Sequence, residues 1–530
     1  MSKEAEVERE KLVARAGIVG AGTLVSRVLG LFRDMVLAAI FTTAQTDAFF
    51  VAFTIPNALR QILGEGAVAS AVVPVLSAKL ATDGDVAARS FFQRVRGTSL
   101  VALVVVSVLG VVFARPLCEL FATGYHARPE EFERTVTLTR VVFPYIFLMG
   151  TAALGMAALN AKRKFAVAAF APGLLNVAFL VAAFALPPLL VANHLDAALA
   201  LAIGALVGGV LQVVAQWPAL RAIGFADRPR VDFRDPGVRE VLRRMAPITF
   251  GIGVYYVDLV LSRRFLSELA PGSQSYFSWA MRVCDFPQGI FVMALSTAAL
   301  PALSALAAAG AKGELVKTYA LGMRMAMFVA IPASVGVVAL AEPLTVALFQ
   351  RGEFGAVAAH ETARALAWQG AGIFSVAAVR QLVPVYYALG DTKTPVLVSA
   401  IDLSAFIALA LLLRGPMGHA GISAAVSGSS VVQMLLLVVF LRPKLGSLAG
   451  TEIGASIART LVASLVAGAS GWGVARALDG GGGALARAVP GLAGGVVFVV
   501  VFAFVATLAR SSELRILTAG VRRRLRRARG

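Results

Sequence analysis

The chain has 530 residues, 58% of them hydrophobic and only 15% charged, and 49 Lys and Arg against 30 Asp and Glu leave a net charge of +19. Soluble globular chains are nearer roughly 45–50% apolar and about 25% charged, which excludes a soluble enzyme or binding module. The short alternating segments of a β-barrel are missing, and the basic excess is not interleaved with aromatic residues as a nucleic-acid surface would be, so no nucleic-acid partner is expected.

Apolar runs of spanning length recur throughout, and a bilayer core takes about 20 apolar residues per helix. The expected fold is an all-α polytopic membrane protein with about fourteen transmembrane helices, near 14–41, 47–79, 90–114, 135–158, 164–187, 196–220, 238–265, 273–306, 315–340, 358–388, 394–413, 418–441, 453–476 and 486–509. The start, MSKEAEVEREKLVARAG, has no short apolar core with a small-residue cleavage site, so no cleaved signal peptide is expected. Cys118 and Cys284 make no disulfide framework.

Basic residues crowd alternate connections: Arg94 and Arg96, Lys162 to Lys164, Arg228 to Arg244, Lys312 and Lys317, Lys393, and Arg442 with Lys444. The positive-inside rule makes these connections and both termini cytoplasmic, with the chain multi-pass in the cytoplasmic membrane. The tail VRRRLRRARG (521–530) falls on the same side, either as a topology anchor or as a contact to anionic lipid.

The sequence repeats itself. Pro74-Val-Leu-Ser-Ala78 returns as Pro301-Ala-Leu-Ser-Ala305, Arg115-Pro-Leu as Glu342-Pro-Leu, and Lys162-Arg-Lys164 as Asp391-Thr-Lys393, at offsets of about 227–229 residues. A duplicated unit of six helices enters the membrane twice from the same side, which implies two six-helix lobes related by a parallel pseudo-two-fold with a site between them. The expected divisions are 1–230, 231–445, two extra helices in 446–510, and a basic tail in 511–530.

Charges inside the spans then need a reason. Each costs roughly 2.5–3.5 kcal/mol at the centre of an isolated spanning helix on insertion scales, and such residues usually face a wet cavity or one another. Arg27, Arg33 and Asp34 lie in the first span, and Arg60 and Glu65 in the second, past Pro56 and between Gly64 and Gly66. Arg282 and Asp285 lie in the eighth, before Pro287 and Gly289. Arg27 and Asp34 share a helix face, whereas Arg33, adjacent to Asp34, points elsewhere and is not expected to pair with it. Four arginines against three carboxylates favour a cationic cavity that binds phosphate or pyrophosphate, because guanidinium groups bind phosphate in bidentate fashion. Structural pairing with Asp34, Glu65 and Asp285 is the competing reading. Asp47 opens the second span, where an N-terminal cap or first-turn acid is the plain alternative to a gating role. Asp258 and Asp402 are candidate Na⁺ or proton ligands in the seventh and eleventh spans, with pairing to a local Arg or hydroxyl the alternative. His126, His194, His360 and His419 are scattered over predicted outer loops. No GxxxxGK[ST], HExxH or GxSxG motif occurs, so no enzyme and no cofactor are expected; transport would draw on an ion gradient, the membrane potential or the substrate's own gradient.

The strings SRVLGLFRD, TDAFFVAFTIPNALRQILGEGA and VPVLSA, with LFQRGEF (348–354), YYALGDTKTP (386–395) and MRVCDFPQGIFVMALSTAALP (281–301), resemble the MurJ/MviN family, lipid II flippases of the bacterial inner membrane. The resemblance implies lipid II as substrate, membrane lipids and the wall-synthesis machinery as partners, a functional monomer, and a hydrophobic groove for the polyprenyl tail built by helices 13 and 14. It places family-essential arginines on Arg27, Arg33, Arg60 and Arg282, family acids on Asp34 and Asp47, and sodium binding in the spans that hold Asp258 and Asp402. Two departures stand out: Met281 where relatives often carry an acid, and Gln61 where some carry a second basic residue. The rival readings are an exporter of another lipid-linked oligosaccharide or of drugs, a membrane-embedded polyprenyl-phosphate transferase, and a non-transporting scaffold.

Overall fold

In the computed structural model the described residues are 22, 24–60, 67–289, 293–478 and 483–519, and among them the secondary structure is helical, without a strand. The helices are α1 (24–40), α2 (Thr43–Arg60), α3 (Ala67–Thr82), α4 (Gly84–Val112), α5 (Ala114–Phe121), α6 (Pro129–Val142) and α7 (Tyr145–Ala161). They continue with α8 (Phe165–Ala192), α9 (Leu199–Ala222), α10 (Pro236–Ser267), α11 (Ser273–Pro287), α12 (Met293–Ala308), α13 (Lys312–Ala339) and α14 (Ala341–Phe349). The last are α15 (Ala356–Ala371), α16 (Ile373–Ala388), α17 (Lys393–Met417), α18 (His419–Leu445), α19 (Gly450–Ala477), α20 (Ala484–Leu508) and α21 (512–519).

Ten stretches among the described residues are long and apolar enough to cross a membrane: α4, α6 with α7, α8, α9, α13, α15 with α16, α17, α18, α19 and α20. The four predicted spans outside this set are the first, second, seventh and eighth, and these hold Arg27, Arg33, Asp34, Arg60, Asp258, Arg282 and Asp285. The fourth span is interrupted at Phe143 and Pro144, where proline removes a backbone donor between α6 and α7. The second span is described over α2 and α3 and the eighth over α11 and α12, while 61–66 and 290–292, and so Glu65, Gln61, Gly64 and Gly66, lie outside the described residues.

The duplication is visible element by element. The repeated Arg115-Pro-Leu and Glu342-Pro-Leu words turn out to be two short helices, α5 and α14, each abutting the end of a long span. The series α4–α5–α6–α7–α8–α9 has its counterpart in α13–α14–α15–α16–α17–α18, in the same order.

By contacts the chain divides into two compact units, 1–274 and 275–530. The contact boundary therefore leaves α10 with the first unit, where it packs on α3, α4 and α5. The core of this unit has one cluster around Val72, Leu76, Phe91, Phe92, Leu154, Leu220 and Phe225, and another around Val51, Ile55, Tyr125, Phe132, Phe143 and Ile146. Asp235 caps α10, its Oδ1 accepting from the Val238 N–H at 3.0 Å ahead of Pro236 at the first helical position, and Arg94 pairs with the same carboxylate at 2.8 Å. Glycine sets the closest approach: a Cβ on Gly110 would lie 1.7 Å from the Phe143 ring.

The second unit is built on α13, α15, α16 and α18, with Tyr319, Met323, Met327, Leu366, Leu382, Tyr386 and Leu437 at its centre. The Tyr386 hydroxyl donates to the Leu437 carbonyl at 2.6 Å and so is satisfied although fully buried. The pair α19–α20 packs on α13 and α14 through Leu340, Ala467, Ala475 and Phe498. A Cβ on Gly471 would lie 2.7 Å from the Gly494 carbonyl, so the two helices touch backbone to backbone, as small residues permit in membrane bundles.

Candidate functional site

Arg33 is the best-defined of the predicted site residues. Its Nε and Nη2 donate to Asp34 Oδ1 at 2.9 and 2.6 Å, its Nη1 donates to Asn176 Oδ1 at 2.9 Å, and its guanidinium lies 5.2 Å from the Phe179 ring centroid. This corrects the expectation that Arg33 and Asp34 cannot pair. Their Cβ atoms diverge on the helix, but the long arginine stem lets the planar fork swing back over a carboxylate that is itself buried. The pair is held by α8: Asn176 Nδ2 also donates to the Ser26 carbonyl at 2.9 Å, so one amide clamps α1 at two places. Arg27 is half-buried on the same helix.

Arg60 is the last described residue of α2, and its Nε donates to Asn57 Oδ1 at 3.0 Å. Asp47 does not cap α2. The cap is Thr42, which accepts from the Gln45 N–H at 3.3 Å while Gln45 Oε1 accepts from the Thr42 N–H at 3.1 Å. Asp47, a turn further in and 2% exposed, instead accepts from the Gly272 N–H at 2.7 Å, in the turn between α10 and α11. That turn is fastened elsewhere too. Arg128 donates to the Ser267 carbonyl at 2.6 Å, the Gly124 N–H donates to Ser267 Oγ at 3.1 Å, and Arg263 and Gln274 exchange two hydrogen bonds at 3.0 and 2.6 Å. The Tyr125 hydroxyl beneath is pushed well above its usual range, first by burial and then by the Asp47 and Glu131 carboxylates.

Arg282 is half-buried on α11, with Asp285 exposed nearly one turn on; the helix ends at Pro287 and passes into a π turn at Gln288 and Gly289. Asp258 lies on α10, in the first unit, and Asp402 on α17, in the second. Asp402 faces Ser429 of α18, and its Oδ1 is buried without a hydrogen-bond partner, a group that a proton or a small cation would satisfy. Among the described residues no three His, Cys, Asp or Glu side chains gather as metal ligands.

Sequence reading missed three features. Asn176 and Phe179 complete the Arg33 site, and a lone amide in the apolar run FAVAAFAPGLLNVAFL was the available signal. Arg263 and Gln274 carried none. Glu513, 1% exposed, accepts from Arg324 Nε at 2.7 Å and from Ser456 and Ser511 hydroxyls at 2.9 Å each, tying α21 to α13 and α19. Burial would push its carboxyl up, but its own helix N–H, Arg324 and the two serines override this and hold it at about 2.

Helices of this number and order, with arginines set into predicted spans, define a polytopic transporter fold. A multidrug-resistance MATE family transporter of the MOP superfamily, solved inward-facing, shares it at a TM-score of 0.65 and 15% identity, over 80% of this chain and 96% of that one. A structure titled lipid II flippase MurJ, inward closed conformation, superposes at a TM-score of 0.73 and 22% identity, over 92% of this chain and 98% of that one. The lipid II flippase MurJ family profile matches residues 36–491. The chain is 35% identical to a lipid II flippase MurJ of Burkholderia cenocepacia over 80% of its own length and 83% of that protein, and 35% identical to a probable one of Bdellovibrio bacteriovorus over 83% and 85%. The chain belongs to the lipid II flippase MurJ family.

Proposed function

We propose that the protein is a transporter, not an enzyme, that moves lipid II from the inner to the outer leaflet of the cytoplasmic membrane in peptidoglycan synthesis. Membership of the family carries the substrate. The observation that carries the chemistry is Arg33, whose guanidinium is held by Asp34 and Asn176 and lies beside the Phe179 ring inside a predicted span. Arg27, Arg33, Arg60 and Arg282 bind the pyrophosphate, Asp34, Asp47, Glu65 and Asp285 balance and gate them, and helices α19 and α20 carry the polyprenyl tail. Both termini are cytoplasmic, as the basic connections require.

Access alternates between the two faces. An inside-negative potential favours outward movement of negative charge by about 2.3 kcal/mol per elementary charge per 100 mV, the correct sign for an anionic lipid. A proton or Na⁺ at Asp402, whose Oδ1 is buried and unsatisfied, supplies coupling, with Asp258 the second candidate ligand. The protein works as a monomer alongside the wall-synthesis machinery. The test is complementation of a depleted host: Arg33→Ala, Arg60→Ala and Arg282→Ala each abolish support of growth while the protein remains in the membrane. Full growth with all three would remove the cationic site.

A further inference from the structure

Helix α2 is enclosed almost all round. From Thr46 to Arg60 only Phe53, Asn57, Leu59 and Arg60 keep part of their surface accessible, and Leu59 packs against the core around Val51, Ile55 and Phe143. The other three lie at i, i+4 and i+7, so they form one stripe along the helix. An aromatic ring, an amide and a guanidinium thus follow one another over a rise of about 10 Å. Asn57 Oδ1 accepts from Arg60 Nε at 3.0 Å, and among the described residues its Nδ2 donates to nothing. The open end of the amide is therefore its donor.

The ring is held in place by its neighbours. Phe53 stacks on Phe49 at 5.3 Å with the planes 19° apart, tilts against Tyr145 at 5.3 Å and meets Phe179 edge-on at 6.2 Å. Phe179 is the ring that lies 5.2 Å from the Arg33 guanidinium. One ring thus separates Phe53 from Arg33, and less than one helical turn separates Asn57 from Arg60. A fixed aromatic surface costs little conformational freedom when a ligand settles on it. An uncharged ring and amide beside arginines that take phosphate suit a sugar. Its apolar C–H face packs on aromatic carbon, and its polar substituents meet the amide.

We propose that Phe53 and Asn57 recognise the pyranose joined directly to the pyrophosphate of the lipid-linked substrate. This rests on the lipid II reading above and deepens it, because arginines alone hold any polyprenyl pyrophosphate, with or without a sugar. The accessible part of the Phe53 ring packs on the C–H face of the pyranose. Asn57 Nδ2 donates to an N-acetyl carbonyl or a hydroxyl of the same sugar, while Arg60 holds Oδ1. The stripe favours the loaded carrier over the bare one.

The test titrates the full-length protein with two lipids, lipid II and the same polyprenyl pyrophosphate without its sugars, and counts bound lipid by native mass spectrometry. The readout is the ratio of the two affinities, in which any change at the shared pyrophosphate cancels. Wild type favours lipid II by about tenfold or more. Phe53→Leu and Asn57→Ala each cut that ratio by about threefold or more and still bind the bare lipid. Asn57→Ala also serves if Phe53→Leu fails to fold, because Asn57 takes no part in the ring cluster. An unchanged ratio in either folded variant, or a wild type that binds the two lipids equally, overturns the sugar contact and leaves the lipid II reading standing. A wild type that binds neither lipid overturns both.

Discussion

Glu513→Gln tests whether the segment after the last span is part of the fold or only an appendage. The carboxylate is 1% exposed and is met by Arg324 through Nε at 2.7 Å and Nη2 at 2.6 Å, with two serine hydroxyls filling its remaining acceptor sites. Breaking a buried ion pair from one side costs about 3–5 kcal/mol, because the other charge is left uncompensated. Arg324 is 18% exposed and has Glu452 at 3.7 Å as a second, solvent-facing partner, which puts the cost at the lower end, about 3 kcal/mol. At 1.4 kcal/mol per factor of ten this speeds local opening by about two orders of magnitude. Amide hydrogen exchange over 512–519 reads it directly, as local opening is resolved segment by segment. The double variant Arg324→Met with Glu513→Met should recover most of the protection, because replacing a buried pair by apolar side chains is close to neutral. Unchanged exchange in Glu513→Gln, or a double variant no better than the single one, would refute the buried-pair reasoning.

Other consequences follow from the same geometry. Asn176→Leu removes the clamp on Arg33 and Ser26 and should lower transport in a complementation assay while Arg33→Lys, which loses the bidentate fork, lowers it further. Asp47→Ala strips a charge-assisted hydrogen bond from the Gly272 N–H, costing about 1.5–3 kcal/mol, and should lower the thermal midpoint more than Gln45→Ala, which costs about 1 kcal/mol at the cap. Gly110→Ala forces a methyl into the Phe143 ring and should destabilise by about 1–3 kcal/mol or more, whereas Gly473→Ala, with open space around it, should be silent. Asp391 is held well below the usual carboxylate range, first by the Thr394 hydroxyl and N–H and then by Lys444. A depressed carboxylate stabilises the folded state above its unfolded pKa and loses that contribution as pH falls through and below it. The Asp391→Asn penalty measured at pH 7 should therefore shrink as the pH falls below about 4, the ordinary Asp pKa.

Much of the fold was legible because membrane spans obey a coarse rule, length and apolarity, which the long helices α4, α8, α9, α13 and α17 to α20 satisfy without help from neighbours. The duplication was legible for a different reason. Short words such as Glu342-Pro-Leu recur because they code a helix start with proline near its N-terminus, and α14 and α5 are that start. What failed was local geometry. Sequence spacing gives Cβ directions, so it separated Arg33 from Asp34, but an arginine fork reaches several ångströms beyond its Cβ. Asp47 read as a cap because nothing in TTAQTDAF reveals a backbone N–H arriving from Gly272, 225 residues away. Glu513 stood in a stretch read only for its positive charge, and its partner Arg324 was one unremarked basic residue in a long apolar span. The signal that remained was a solitary polar residue in an apolar run, Asn176, and it turned out to mark a place where the helices have chemistry to satisfy.

The most direct test of the transport reading counts lipid-linked wall precursor on each face of the cytoplasmic membrane in the protein's own host after its depletion. Accumulation of lipid II on the inner face, reversed by wild type but not by Arg33→Ala or Arg282→Ala at equal protein level, is the expected result. An unchanged distribution between the leaflets, or full rescue by both variants, would contradict it and point to another lipid-linked glycan or to a role that does not use the arginines.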